Sequence, residues 1–480
     1  MGVSRLVSLS GAVVLLWLVT PRAAQAGDPP TVEQAQSTLR NAVGFFHGEV
    51  ASHGGYVYQY SHDLKRREGE GATDTDTLWV QPPGTPAVGL AYVEAFERVG
   101  DPALLAAARD AADCLIRGQL RSGGWNSSID FAPERRAKID YRVDPPRPKK
   151  PGFNVSTLDD DKTQSALRFL MRLDQSLKFQ DPRLHDCVTF ALDAVLAAQF
   201  PSGGWAQGFR GPVDASLAPV RVASYPESWS RTAVKSDYWW YPTLNDNTIA
   251  DLITTLLLAE SIYHEPRFRA SVIRAGDFLL RARMPEPQPA WAQQYDFEMH
   301  PVWARKFEPP AISGGESQGV IKTLLTLYEQ TGDRRFLEPI PRSIAYLRSS
   351  LLPDGRLARF YELKTNTPLY FTREYVLTTK DDDLPTHYGF KVGSQLDGLQ
   401  RQYDALARLS PEQLKTRRDQ PKSRVEKANS RSPPSASGEF LGSMVAAPAS
   451  WPARRGRAAP ATARRRRPRA RRADSAPPSP

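Results

Sequence analysis

Gly203-Gly204-Trp205-Ala206-Gln207 is the stretch around which the sequence is organised. Similar stretches recur roughly every 65 to 90 residues, which is the kind of internal repeat that marks an array of supersecondary units. The related stretches are Gly54-Gly55-Tyr56, Gly123-Gly124-Trp125 and Trp291-Ala292-Gln293.

An apolar segment with helical spacing precedes each of the later stretches, and it opens with an acid and a proline. An acidic N-cap followed by proline at the first helical position is a helix-start signal. The openings are Asp101-Pro102, Asp181-Pro182 and Glu265-Pro266, with Asp333 in a fourth place. We therefore predict an all-α fold, an α/α toroid of helical hairpins with irregular loops and a short β segment within residues 359–373.

The N-terminus resembles a secretory signal. Arg5 precedes an apolar run over residues 12–19, and Ala24-Gln25-Ala26 fits a cleavage site. No later segment is long and apolar enough to span a bilayer. The sequence thus predicts a signal peptide over residues 1–26 and a secreted or periplasmic protein without a membrane span.

The formal charge of +10 belongs to the C-terminal end. Residues 411–480 contain 17 Lys and Arg but 5 Asp and Glu, which leaves a net charge of −2 for the rest. Rich in proline, serine and arginine, this segment cannot bury enough surface to offset its ordering entropy. We predict a disordered tail over 411–480 after a toroid domain over 27–410. Export excludes nucleic acid as partner, and we expect a monomer.

Cys114 and Cys187 both lie in apolar helical segments. Two buried thiols are one interpretation, and a single disulfide formed in an oxidising compartment is the other.

Polar clusters stand ahead of the first helix of each hairpin. The richest are Asp159-Asp160-Asp161 and Asn245-Asp246-Asn247. A single acid there would cap the helix. Three successive aspartates repel one another unless a cation lies between them, and carboxylate oxygens are the ligands that Ca²⁺ prefers. Capping and cation binding both remain open at this point.

Cationic and aromatic side chains accumulate in the neighbouring loops. Ring faces, cations and a carboxylate-bound metal ion together would suit an anionic polysaccharide, whereas packing of the inner wall and pairing with acids are the structural alternative. The residues concerned are Lys162, Lys235, Arg305, Arg359 and Arg373, with Trp205, Tyr238, Trp239, Trp240 and Trp303 among the aromatics.

The chain resembles the family 10 polysaccharide lyases, the pectic acid lyases. The residues that carry the resemblance are Thr157-Leu158-Asp159, Thr243-Leu244-Asn245-Asp246, Gly203-Gly204-Trp205 and Trp303-Ala304-Arg305. The resemblance implies cleavage of polygalacturonate by calcium-assisted β-elimination. It implies that Asp159 and Asp246 hold calcium, with Asp160 beside them. It also implies that Arg305 is the base that takes the C5 proton, and that Arg359 and Arg373 bind substrate carboxylates.

The sequence departs from the family at one position of interest. The family commonly has Asn-Gly-Ala after the first aspartate, where this chain has Asp160-Asp161-Lys162. The extra acids would strengthen cation binding or change the substrate.

Other functions remain as alternatives. One is a glycoside hydrolase that uses an Asp/Glu pair, and another is a sugar-binding toroid without turnover. Gln119 to Trp125 and Gln199 to Trp205 also fit the Q-x-x-x-G-x-W repeat of triterpene cyclases. That repeat ties one hairpin to the next and reports architecture rather than chemistry.

Overall fold

The computed structural model describes residues 31–147, 149–216 and 219–419. The predicted signal peptide and residues 420–480 of the predicted tail lie outside the described residues. Helices account for most of the regular structure. They are α1 (Val32–Phe45), α2 (Thr85–Val99), α3 (Pro102–Gly118), α4 (Pro133–Arg136), α5 (Lys162–Ser176), α6 (Pro182–Ala197), α7 (Thr248–Tyr263), α8 (Pro266–Arg281), α9 (Gly314–Thr331), α10 (Ile340–Ser349), α11 (Leu396–Ala407) and α12 (Pro411–Asp419).

The helices form two layers. The inner helices lie side by side in the order α2, α5, α7, α9 and α11. The outer helices α3, α6, α8 and α10 follow α2, α5, α7 and α9 in the sequence and pack against them, and α10 also packs against α11. Asp101 and Asp181 accept backbone N–H bonds at the starts of α3 and α6, as the acid-proline openings predicted. The predicted α/α toroid of hairpins is confirmed.

The glycine–tryptophan turns close each hairpin onto its outer helix. Trp125, Trp205 and Trp291 are fully buried. Their indole N–H groups donate to Leu115, Val195 and Leu279 carbonyls at 2.8, 2.9 and 2.8 Å, at the ends of the preceding outer helices. Each ring therefore fills the core while its polar atom is satisfied.

Glycine is required at the first position of the turn. Gly203 has φ +93°, and a Cβ added there would lie 2.0 Å from the Arg274 carbonyl oxygen on the next outer helix. A side chain would clash with backbone as well as strain the left-handed conformation.

Two glutamines link neighbouring hairpins. The Gln119 amide donates to the carbonyls of Gly123 and Cys187, both at 2.9 Å. The Gln199 amide donates to Gly203 at 2.9 Å and to Ser271 at 3.0 Å. Each glutamine thus bonds its own turn and the outer helix of the next hairpin, so the Q-x-x-x-G-x-W repeat reports architecture, as predicted.

The loops contain short antiparallel strands. The predicted β segment forms part of a four-stranded sheet of β8 (Ala311–Ser313), β10 (Phe360–Glu362), β11 (Pro368–Phe371) and β12 (Leu377–Thr378). The sequence did not predict the other strands. These are β1 (Gln59–Tyr60), β2 (Arg67–Glu68), β3 (Ala72–Thr73), β4 (Thr77–Trp79), β5 (Ser128–Asp130), β6 (Ser156–Thr157), β7 (Gly208–Phe209), β9 (Leu357–Ala358) and β13 (Lys391–Val392).

The predicted tail boundary at residue 411 is wrong. Residues 411–419 form α12, where Leu414 is buried and Arg417 donates to Glu329 at 2.8 Å. One apolar anchor and a partly buried ion pair are enough to dock this charged segment onto α9.

Both cysteines are free and buried. Burial raises the pKa of the Cys114 thiol to about 12. The interpretation as two buried thiols is confirmed. Across the described residues, no helix combines the length and apolar character that crossing a membrane requires.

Replacing Gln199 by leucine tests the links between hairpins. The change removes the linking amide and leaves the buried Ser271 hydroxyl without its acceptor at 2.8 Å. We expect the free energy of unfolding in urea to fall by about 2–4 kcal/mol. The exposed Gln180→Leu is the control and should stay within about 0.5 kcal/mol of the parent. Equal stability of the two variants would contradict the assigned role of Gln199.

Candidate active site

Two loops ahead of α5 and α7 have the same backbone. Asp160 has φ 47° and ψ 39°, and Asp246 has φ 47° and ψ 38°. The hydroxyls of Thr157 and Thr243 accept the amides of Asp159 and Asn245, at 3.1 and 3.0 Å. The two turns are therefore copies of one local structure in successive repeats.

Backbone hydrogen bonds fix these acidic turns to the tryptophan turns on either side. Thr157 donates to the carbonyl of Trp125 at 2.8 Å, and Leu158 donates to that of Gln207 at 2.7 Å. In the next repeat, Leu244 donates to the carbonyl of Gln293 at 2.8 Å. Each acidic turn is thus held by its own repeat and by the following one, and successive turns are brought together.

Three carboxylates meet where the acidic turns adjoin. One oxygen from each of Asp159, Asp160 and Asp246 lies within 4.8 Å of the others. Burial, and then Asp159 and Asp160, raise the pKa of Asp246 well above its usual value. Burial and Asp159 likewise raise the pKa of Asp160. The surrounding protein therefore does not fully stabilise the negative charge of these three carboxylates.

Four side chains among the described residues donate to this acidic cluster, and one of them is Asn245, whose amide donates to Asp246. Lys162 Nζ lies 3.1 Å from Asp159 and 3.4 Å from Asp160. The amide of Gln207 donates to Asp159 at 2.9 Å, and that of Gln81 donates to Asp160 at 3.2 Å. The Oε1 atoms of both glutamines are buried and have no hydrogen-bond partner among the described residues.

The cluster fits a hard divalent cation. Its donors are carboxylate oxygens, which are the ligands that Ca²⁺ prefers. Asp159, Asp160 and Asp246 are the residues that would hold the ion.

Asp161 takes no part in the cluster. It forms an ion pair with Arg168 below the turn, and Arg168 also donates to Thr255 at 2.9 Å. Asp251 faces this pair from α7. Burial and the Asp161 charge raise the pKa of Asp251 to about 7, against the opposing effects of Arg168 and Lys322. The interior of the ring is therefore charged directly beneath the acidic turns.

Arg305 lies in a tight turn and is held by Glu308. Its Nε atom donates to Glu308 at 2.8 Å, and its backbone N–H donates to the same carboxylate at 3.1 Å. Burial lowers the pKa of Arg305, but the hydrogen bonds and charge of Glu308 outweigh that effect and raise it above its ordinary value. The positive charge of Arg305 lowers the pKa of Asp246, against the larger effects that raise it.

Arg359 approaches the same region from the sheet. It donates to the Gly389 carbonyl at 2.7 Å and to Glu316 at 3.5 Å. Glu316 stands in the first turn of α9, where the Ser313 hydroxyl donates to it. Arg359 is therefore also partly neutralised by an internal acid.

Two tyrosines belong to the site: Tyr388, to which the sequence pattern assigned no role, and Tyr238, which it predicted only as one of the loop aromatics. The Tyr388 hydroxyl donates to Glu308 at 3.0 Å, and its ring lies 4.8 Å from the Arg359 guanidinium carbon. Burial and Glu308 raise the pKa of Tyr238, with further contributions from Asp159 and Asp246. Tyr238 therefore shares the electric field of the acidic cluster and of the Arg305 turn.

Three predicted substrate contacts need correction. Trp205 is wrong because its ring is fully buried in the core. Lys162 is only 4% exposed and is the partner of Asp159 and Asp160, so it does not face a ligand. Arg373 is 67% exposed and pairs with Asp383 at 3.3 Å, and within the described residues it has no contact with the acidic turns.

The other predicted contacts are accessible. Lys235 is exposed, next to Ser236, whose hydroxyl donates to the Trp303 carbonyl at 2.6 Å. Trp240 is half-buried, and the Arg210 guanidinium carbon lies 4.7 Å from the centre of its ring.

Part of the chain matches a known protein family. Residues 119–352 match the pectic acid lyase family, a region that contains both acidic turns, Arg305 and Glu316. The predicted resemblance to the pectic acid lyases and the predicted class of polysaccharide lyase are confirmed by this match. Among curated protein sequences, none matches this chain.

Several solved structures are similar over much of the chain. The family 10 polysaccharide lyase from Cellvibrio cellulosa is 20% identical, with TM-score 0.45, over 67% of this chain and 98% of that one. A mutant of that lyase in complex with trigalacturonic acid is 19% identical, with the same TM-score and coverage. Cellobiose 2-epimerase from Spirochaeta thermophila is 16% identical, with TM-score 0.41, over 70% of this chain and 76% of that one.

The buried Asp251 generates a prediction about pH. A carboxyl whose folded pKa is about 7 keeps its proton in the folded state while the unfolded chain loses it above about pH 4. Its contribution to stability therefore falls as pH rises from about 4 to 7, by an amount on the order of a few kcal/mol. We expect Asp251→Asn to flatten this fall in urea unfolding measured across that range.

Asp186→Asn is the control, because Asp186 is 65% exposed and pairs at the surface with Arg142. It should keep the pH dependence of the parent protein. An Asp251→Asn variant with an unchanged slope would exclude Asp251 as the buried titrating group.

Proposed function

We propose that this protein cleaves a polyuronate, polygalacturonate in the first place, by β-elimination assisted by calcium. The observation that carries the proposal is the meeting of acids from two successive hairpins, Asp159 and Asp160 with Asp246, beside the Arg305 turn. The pectic acid lyase match over the same residues supports it. The predicted signal over residues 1–26 supports action outside the cytoplasm.

The charges of the site favour a divalent cation. Asp159, Asp160, Asp246, Glu308 and Glu316 are five acids, and Lys162, Arg305 and Arg359 are three bases. With all of them ionised, two negative charges remain. When bound, calcium would balance these charges and withdraw electron density from a uronate carboxylate, which makes the C5 proton more acidic.

The residues of the chain supply orientation and the base. Arg359 would bind a substrate carboxylate by partial exchange of its 3.5 Å contact with Glu316. Arg305 would take the C5 proton, and the C5–H electron pair would form the C4–C5 double bond as the C4–O4 bond breaks. The departing O4 would take a proton from solvent. Since Glu308 raises the pKa of Arg305, only a small fraction is neutral near pH 7. The rate should therefore increase with pH into the alkaline range.

The direct test is an elimination assay with purified protein and polygalacturonate. We expect absorbance from unsaturated ends to appear with Ca²⁺, to disappear with a chelator and to increase with pH. Arg305→Ala should lower kcat by about 10²- to 10⁴-fold while circular dichroism stays unchanged. Arg221→Ala is the control, because Arg221 is half exposed and pairs with Glu298 at 2.9 Å.

The other outcomes of this assay identify the alternatives. Reducing ends without unsaturation would indicate the glycoside hydrolase, and binding without either product would indicate a sugar-binding toroid. Full activity of Arg305→Ala would exclude it as the base.

Lys162 generates a second prediction, because its ammonium lies against two of the proposed calcium ligands. Removing that charge takes away a competing cation and leaves the aspartates unpaired. We expect Lys162→Met to bind Ca²⁺ about tenfold more tightly or better in calorimetry. Its melting temperature should be below that of the parent without calcium and should increase more when calcium is added.

Lys178→Met is the control, because Lys178 is exposed at the far end of the α5–α6 hairpin. Weaker calcium binding by Lys162→Met would mean that Lys162 supports the ion instead of competing with it.

A further inference from the structure

The cations around the site fall into two groups. Those in the first group are neutralised by acids of the protein: Arg305 by Glu308, Arg359 by Glu316 and Lys162 by Asp159 and Asp160. Arg210, Lys235 and Lys306 form the second group. Across residues 31–147, 149–216 and 219–419, none of the three has an acidic partner, and Lys306 Nζ lies 3.5 Å from the centre of the Tyr375 ring. An incoming carboxylate would not have to displace a protein acid from these three.

Arg210 is also held in place. Its guanidinium carbon lies 4.7 Å from the centre of the Trp240 ring, while Arg210 itself is exposed. A guanidinium stacked on an indole keeps the N–H groups at its edge free for a planar anion, and the stacking reduces the entropy lost on binding. Arg210 and Trp240 together therefore form a prepared carboxylate receptor.

The receptor is connected rigidly to the acidic cluster. Arg210 follows β7, which pairs with β6 directly before the first acidic turn, and Gln207 at the start of this segment donates to Asp159 at 2.9 Å. Strand β7 also contacts the short turn Tyr238–Trp240, called the aromatic turn below. A Cβ at Gly208 would lie 2.3 Å from Trp239 Nε1, so the backbone and the indole touch.

The first residue of the aromatic turn, Tyr238, lies in the site. Tyr238, two residues before Trp240, has a pKa raised by burial and by the charges of Glu308, Asp159 and Asp246. Arg210 and Trp240 thus lie beside the cluster but donate no bond to it, as expected of a position next to the reacting unit.

We propose that Arg210 and Trp240 form a subsite that binds the carboxylate of a uronate unit neighbouring the one that reacts. The proposal deepens the proposed function and rests on it. Arg210 would donate two hydrogen bonds to the carboxylate, and Trp240 would keep the guanidinium in position.

The test compares Arg210→Ala with the matched control Arg221→Ala on hexagalacturonate. We expect KM and the calorimetric Kd to increase about tenfold or more for Arg210→Ala, because a charge-assisted pair of hydrogen bonds is lost. The kcat at saturation should stay close to that of the parent, since Arg210 touches no reacting atom. Trp240→Ala should change KM in the same direction, by a smaller factor.

A second ligand separates carboxylate recognition from a structural effect. The fully methyl-esterified hexamer has no carboxylates, so the parent and Arg210→Ala should bind it equally weakly in calorimetry. A similar loss of affinity for both hexamers would overturn the proposal, as would an Arg210→Ala variant that binds hexagalacturonate like the parent.

Failure of the subsite and failure of the proposed function give different results. If the parent protein produces unsaturated ends and Arg210→Ala has unchanged KM and Kd, only the subsite is wrong. If the parent produces none, the proposed function is wrong, and the binding measurements with the two hexamers decide the subsite by themselves.

Discussion

The backbone hydrogen bonds from Leu158 to Gln207 and from Leu244 to Gln293 determine where the chemistry of this protein can occur. Each joins an acidic turn of one repeat to the tryptophan turn of the next. Because the tryptophans and the linking glutamines are buried and satisfied, these turns cannot shift without breaking the contacts between hairpins. The structural repeat therefore brings acids that are far apart in the sequence together in one cluster.

The conformation of the acidic turns explains their composition. Two successive residues in each turn have positive φ, which are Asp160 and Asp161 in the first and Asp246 and Asn247 in the second. Asp and Asn tolerate this left-handed region better than other residues with a side chain. The first pair carries two charges, one directed to the cluster and one to Arg168.

Much of the fold could be predicted because its signals are local. The repeat of glycine and tryptophan, the acid-proline openings and the Q-x-x-x-G-x-W spacing can each be recognised from residues that are only a few positions apart in the sequence. The site was less predictable. That Asp159 and Asp246 approach each other follows from the repeat, but Trp205 is part of the repeat itself and is buried for that reason. No local pattern shows that Glu308 holds Arg305, or that Tyr388, 80 residues later, donates to Glu308.

The pairing of nearly every cation with an internal acid has a consequence for how the site selects ligands. A guanidinium already bonded to a carboxylate gains little from exchanging it for another, since both bonds are charge-assisted and of similar strength. In the proposed function, Arg359 would therefore orient a substrate with only a small net gain in affinity. Discrimination between charged and neutral sugars must come from groups that enter the complex unpaired. In the described part of the chain such groups include Arg210 on the Trp240 ring, Lys235, which precedes Tyr238 in the same loop, and Lys306, which follows Arg305. Under the proposed function, this division would keep Arg305 and Arg359 in place for the reaction, while unpaired cations at the edge of the site would supply affinity for the substrate.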